Sequence, residues 1–245
     1  MKESVSLRLF ALAYGCVAHA AFAAAVAVMA WSLWIGLQGG LGRIHGVAAI
    51  ASNTALAAQF PLLHSFLLTD RGRRVLRRLA PWGRGRLQTT TYALVASIQL
   101  MAAFLLWSPS GVTWHRAEGV LLVAHALLFV AAWAFLVKAL WDAGLSLQTG
   151  AAGWSAIVAG REVRYGDMPV DGLFRTCRQP IYLGFALVLI TAPCWSLDWI
   201  TLCVGWCSYC VLGPLLKERR WRRSYGERFL RYRSEVPYMI PRFLR

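Results

Sequence analysis

Six long apolar stretches, separated by shorter polar links, constrain this chain more than any other feature. They cover residues 10–37, 45–68, 90–107, 119–139, 180–196 and 199–216. A spanning helix needs roughly 20 mostly apolar residues. Inside lipid the backbone must satisfy its own hydrogen bonds, so such stretches predict helices and not strands. The expected fold class is all-α: a polytopic membrane protein of about six transmembrane helices. The fifth stretch is short and flanked by Pro180 and Pro193, which predicts a tilted or shallow segment. Charged residues are only 15% of the 245, against about 25% in a soluble domain, so soluble globular classes are excluded. The first stretch exceeds the roughly 7–15 residue core of a cleavable signal and reads as a span.

Charge placement gives an orientation. With the N-terminus in the cytoplasm, all but Arg43 and Arg116 of the 26 Lys and Arg fall on the inner side. That asymmetry predicts six spans in the inner (cytoplasmic) membrane with both termini cytoplasmic. The formal net charge of +15 then faces anionic lipid headgroups, and no nucleic acid is needed as a partner.

Two regions are expected. Residues 1–140 form four spans with a basic cytoplasmic loop, and residues 141–245 hold a cytoplasmic loop, a transmembrane hairpin and a basic tail. In the first region, DRGRRVLRRLAPWGRG at 70–85 predicts a short interfacial helix ending at Pro81. In the second, residues 141–179 carry Asp142, Glu162, Asp167 and Asp171 among frequent Gly and Pro. This predicts a folded loop more than a helix, and a loop of such length is usually functional. Pro180 suits the first turn of a helix. Ser196 or Asp198 can cap the returning leg, and Gly213-Pro214 should kink or loosen it. Beyond it, Arg219, Arg222 and Arg223 near Trp221 and Tyr225 predict a basic amphipathic helix at the interface.

Signatures of soluble chemistry are missing. The chain has no P-loop, no zinc-protease helix motif and no nucleophile-elbow motif. Its five His residues do not have the spacing of a metal cluster, so no metal site is expected. Cys203, Cys207 and Cys210 share a helical face inside the last span and read as packing residues. His64, with Gln59 and Ser65 in an apolar helix, has two readings: a functional polar group or a helix–helix hydrogen bond. As a catalytic group it would orient an acceptor or take its proton, with Asp142 fixing its tautomer.

The strongest constellation lies at the inner ends of the last two stretches. Arg178, Gln179, Tyr182 and Gly184 open one, and Glu218 and Arg219 close the other. Antiparallel legs bring these ends together. Arg178 offers a planar donor fork for a carboxylate, Gly184 permits close approach, and Glu218 accepts from hydroxyls or an amine. Such a set suits a zwitterionic, partly aromatic cofactor; the plainer alternative is an interfacial Arg–Glu pair.

RQPIYLG, residues 178–184, resembles the R-H-P-x-Y-x-G motif of the integral-membrane methyltransferases. That superfamily includes isoprenylcysteine carboxyl methyltransferases, phospholipid N-methyltransferases and the methanethiol S-methyltransferases related to NnrU-like proteins. The acidic motif and basic tail of that superfamily resemble residues 217–232, and VPYMIP at 236–241 resembles its ending. His64-Ser65 and the basic loop into Thr91-Tyr92 resemble the methanethiol branch. The resemblance implies that S-adenosylmethionine binds a cytoplasmic C-terminal hairpin and tail through Arg178, Gln179, Tyr182, Gly184, Glu218 and Arg219. Two positions depart from the pattern: Gln179 stands for the His, and Lys217 for the first Glu of a pair.

The implied reaction is methyl transfer to a small or apolar acceptor, with a thiol such as methanethiol leading. A prenylated cysteine or lipid-like acceptor is the alternative substrate. A non-catalytic NnrU-like protein is the alternative class, and a small transporter a further one. A transporter should show paired broken helices in two halves, and this chain has one such hairpin. Nothing in the sequence points to an oligomeric state.

Overall fold

A computed structural model describes residues 4–82 and 85–241. Lys2, Arg84, Arg242 and Arg245 of the basic set, and Gly83 of the basic loop, lie outside the described residues. The protein is 72% helical, with almost no strand. Four helices are long and apolar enough to cross a membrane: α1 (Val5–Trp34), α2 (Gly46–Leu67), α5 (Gly119–Asp142) and α9 (Leu197–Tyr225). The chain is thus a multi-pass membrane protein. The third expected span is the 18-residue helix α4 (Gln88–Leu105).

The fifth expected span is shorter than the sequence suggests. Its helix, α8, covers Pro180–Ile190, 11 residues. At about 1.5 Å per residue it reaches roughly 16 Å, half of a hydrocarbon core of about 30 Å. The chain then enters a strand, because Pro193 cannot continue the helix. That strand, β2 (Cys194–Ser196), pairs antiparallel with β1 (Thr113–Arg116), in the link between the third and fourth apolar stretches. Ser196 then caps α9 by accepting from the Trp199 amide at 2.9 Å, as expected. α9 runs unbroken through Gly213 and Pro214 to Tyr225. Gly226, at φ 49°, ends it and opens α10 (Glu227–Glu235).

The chain divides into two compact units. The first comprises residues 1–32, 37–110 and 145–165. Its core joins Ala11, Ala80, Leu87 and Ile157, with Tyr14 and Trp154 packed against them. Gly15 makes room for the Trp154 ring, which a Cβ there would approach to 2.4 Å. Polar bonds tie α2 to α4 and its C-terminal end. Gln59 and Gln99 bond each other's side chains and backbone carbonyls at 2.8–3.1 Å, and Asn53 brackets Ser108 at 2.8 and 2.9 Å. In lipid, where burial gives helices no drive to associate, such bonds hold them in register. Helix α3 (Asp70–Leu79) is the expected short basic helix; Thr69 caps it, and its Leu76 is buried.

The segment at residues 141–179 also differs from expectation. It carries α6 (Leu145–Gln148), α7 (Ala151–Val158) and a 3-10 turn (Gly172–Arg175). Its glycines punctuate helices instead of preventing them: Gly150, at φ 78°, precedes α7. The apolar residues Ile157 and Trp154 then have a core to face.

The second unit comprises residues 33–36, 111–144 and 166–245. Here α8 packs on α5 and α9. Gly184 sets the α8–α5 approach, since a Cβ there would lie 3.0 Å from Leu136 Cα. Met168, Phe229 and Tyr232 form a small core that docks α10.

Candidate functional site

At the start of α8 and the far end of α9, four polar side chains form one chain of hydrogen bonds. Lys217 Nζ donates to Gln179 Oε1 at 3.0 Å. Gln179 Nε2 donates to Glu218 Oε1 at 2.9 Å. Arg178 Nε donates to the same oxygen at 2.9 Å, and its Nη2 lies 3.5 Å from Glu218 Oε2. Arg178, Gln179 and Glu218 are all buried, at 7%, 0% and 7% exposure. Lysine can only donate and a carboxylate only accept, so the Gln179 amide has one workable orientation between them.

Arg178 also fastens the tail. Its Nη1 donates to the carbonyls of Arg233 (3.1 Å) and Val236 (2.5 Å), and its backbone amide to Pro237 (2.9 Å). Its guanidinium lies 5.5 Å from the Tyr238 ring centroid. The donor fork that the sequence suggests for a ligand carboxylate is thus occupied by Glu218 and the tail carbonyls. Tyr232 adds a latch, its hydroxyl donating to Phe174 O at 2.7 Å. Burial pushes the Tyr232 hydroxyl well above its ordinary range, so it serves as a donor. Burial likewise pushes the Cys177 thiol up, which removes it as a ready thiolate.

Rings surround this chain of bonds. Lys217 Nζ lies 4.2 Å from the Trp221 ring centroid, 5.6 Å from Phe174 and 5.8 Å from Tyr182. Arg219 lies exposed on the same helix and makes none of these bonds. Lys217 faces Gln179 in its place, because residues two apart lie about 200° around an α-helix and only one of them can face α8.

His64 and Asp142 fall in different units. Tyr92 Oη is 2.7 Å from His64 Nε2. Asp142 accepts from the Leu173 amide at 2.8 Å and pairs with Lys138. Both Asp142 carboxylate oxygens thus have partners within the second unit. Gly172, at φ +60°, brings its Cα so close that a Cβ would reach 2.2 Å from Asp142 Oδ2. Asp142 thus sets the turn that carries Phe174. No group of three or more His, Cys, Asp or Glu suited to a metal occurs among the described residues.

Of the six cofactor-binding residues that the sequence points to, Arg178, Gln179, Tyr182, Gly184 and Glu218 gather at one helix junction, Gly184 one turn in, and Arg219 lies apart. Phe174, Tyr232 and Tyr238 join them with little sequence signal, since each is an aromatic residue in a loop or tail.

The fold and site define a polytopic helical membrane protein with a buried polar cluster at the root of a helical hairpin. Across about four-fifths of its length the chain is similar to methanethiol S-methyltransferases. The protein of that name from Crocosphaera subtropica is 24% identical over 196 residues, 80% of this chain and 76% of that protein. The one from Mycobacterium tuberculosis is 24% identical over 79% of this chain and 78% of its own length. Methanethiol S-methyltransferase 2 of Bradyrhizobium diazoefficiens is 25% identical over 96% of this chain and 91% of its own. The resemblance read from residues 178–184 and 217–241 is borne out by these relatives. No protein-family model and no solved structure matches the chain.

Proposed function

We propose that this protein is a membrane methyltransferase that uses S-adenosylmethionine to methylate a small thiol of the methanethiol class. The observation that carries the reading is the buried Lys217–Gln179–Glu218–Arg178 chain, which joins Arg178 and Glu218, matching the superfamily's cofactor motifs, to the two positions that depart from them. The similarity to proteins named methanethiol S-methyltransferases supports it.

The residues present fit such a cofactor. An ammonium already lies among the rings of Phe174, Tyr182 and Trp221, so these surroundings accept a cation. Glu218 Oε2, whose contact with Arg178 is the long one at 3.5 Å, is the oxygen left to accept from a ribose hydroxyl or an amine. Arg178 holds that carboxylate in place and ties the tail against it. When bound, S-adenosylmethionine supplies a methyl carbon on a cationic sulfur, which passes to the acceptor sulfur as its own C–S bond breaks and leaves a neutral thioether. The protein's residues mainly hold donor and acceptor in line. A free thiol titrates near about 8.5, so part of it is thiolate at neutral pH.

Orientation belongs to the same reading. The charge asymmetry supports both termini in the cytoplasm of an inner membrane, with the basic inner segments on anionic headgroups. A non-catalytic role draws on one observation: protein groups already meet most of the Arg178 donors. One experiment separates the two. Calorimetric titration of the reconstituted protein with S-adenosylmethionine is paired with a product scan over methanethiol, longer thiols, a prenylated cysteine and phospholipids. Binding together with a methyl thioether product supports the enzyme. No binding and no product would sink it.

A further inference from the structure

Three aromatic rings from three separate elements surround one ammonium. Trp221 follows Lys217 by one helical turn on α9, Phe174 comes from the 3-10 turn, and Tyr182 from the first turn of α8. Their centroids lie 4.2, 5.6 and 5.8 Å from Lys217 Nζ. All are inside the roughly 6 Å over which a ring face attracts a cation. The Lys217–Trp221 contact alone would be ordinary i,i+4 packing. Helix spacing does not account for the other two rings, which the tertiary fold brings in. Boxes of this kind recognise onium groups.

The cation in the box is poorly fastened by comparison with its neighbour. Arg178 is held by Glu218 and two tail carbonyls. Lys217 has a bond to Gln179 Oε1 at 3.0 Å and a flexible four-carbon stem. That stem can carry the ammonium out to interfacial water.

We propose that Phe174, Tyr182 and Trp221 form the subsite for the sulfonium of the methyl donor, and that Lys217 is its built-in occupant until the donor displaces it. The proposal rests on the methyl-donor reading above. It gives the site a reason to release product, because the neutral thioether left after transfer has no charge for the rings to attract.

The test is calorimetry on the full-length reconstituted protein with two ligands, S-adenosylmethionine and S-adenosylhomocysteine, which differ at the sulfur by one methyl and one charge. The readout is the ratio of their affinities. Lys217→Met is expected to raise that ratio in favour of the sulfonium ligand. Trp221→Leu and Tyr182→Leu are each expected to lower it, by roughly two- to thirty-fold in all three cases, the range that a cation–π contact supports. Retained S-adenosylhomocysteine binding certifies that a variant is folded. A parent protein that binds neither ligand overturns the methyl-donor reading itself. A parent that binds both, with a ratio unmoved in all three variants, overturns the subsite alone.

Discussion

Lys217 Nζ and Gln179 Oε1 meet at 3.0 Å across 38 positions of sequence. These are the two positions at which the chain departs from the superfamily pattern it resembles. Each departure alone looks disruptive, since one removes an imidazole and the other reverses a charge. Together they form one donor–acceptor pair, and the Gln179 amide passes the contact on to Glu218.

Coupling between the pair is the first prediction. Lys217→Glu should set a second carboxylate against the Gln179 carbonyl oxygen and beside Glu218, and weaken both folding and donor binding. Gln179→His alone should keep the fold and part of the activity, and Gln179→Ala should lose more. The double variant Lys217→Glu with Gln179→His should recover part of the loss. A thermal-unfolding cycle should give a coupling of about 0.5–3 kcal/mol, the range for side chains in contact. Strict additivity would show that the two positions changed independently.

Glu218→Ala should act on stability as well as on ligand binding. The carboxylate is the partner of Arg178, and both side chains are 9% exposed. Removing one member of such a pair strands the other charge, at about 3–5 kcal/mol. Glu218→Gln, which keeps an acceptor oxygen, should lose less. Detergent unfolding midpoints read this directly, and a midpoint equal to the parent's in Glu218→Ala would refute the buried pair.

The tail contact through Asp167 should respond to acid. A hydrogen bond from Arg228, then one from the Met168 amide, holds the Asp167 carboxyl below its ordinary range. A folded value below the unfolded one gives stability that is present above about pH 3.9 and fades as pH falls through the lowered folded value. Asp167→Asn should flatten this part of the acid profile and lower the tail's stability across the neutral range, where the parent carries the contribution in full. Proteolysis of the tail as a function of pH would report it. An identical acid profile in parent and variant would remove Asp167 from the docking of α10.

Topology can be read independently of chemistry. Reporter fusions at Arg43 and Arg116 should signal outside, and one at Gly83 inside. An inside signal at Arg43 or Arg116 contradicts the orientation drawn from the basic residues.

Apolar length and charge distribution determined the membrane class, because hydrocarbon thickness and surface potential act on the chain segment by segment. They read α1, α2, α5 and α9 from sequence alone, and local chemistry read the Ser196 cap. The length of α8 was not legible in this way. Its stretch is apolar to residue 192, yet the helix ends at Ile190 and β2 pairs with β1, some 80 positions earlier. The site divides along the same line. Motif residues at 178–184 and Glu218 were visible as residue types. Their partners were set by the register of α8 against α9, which the β2 corner between them joins, with α8 seated on α5 by the Gly184–Leu136 approach. Helical spacing reports neighbours three and four residues apart. It carries no information on which of Lys217, Glu218 and Arg219 faces Gln179, nor on Phe174 reaching the ammonium from a turn shaped by Asp142. Those contacts join distant parts of the chain, so the tertiary structure decided them.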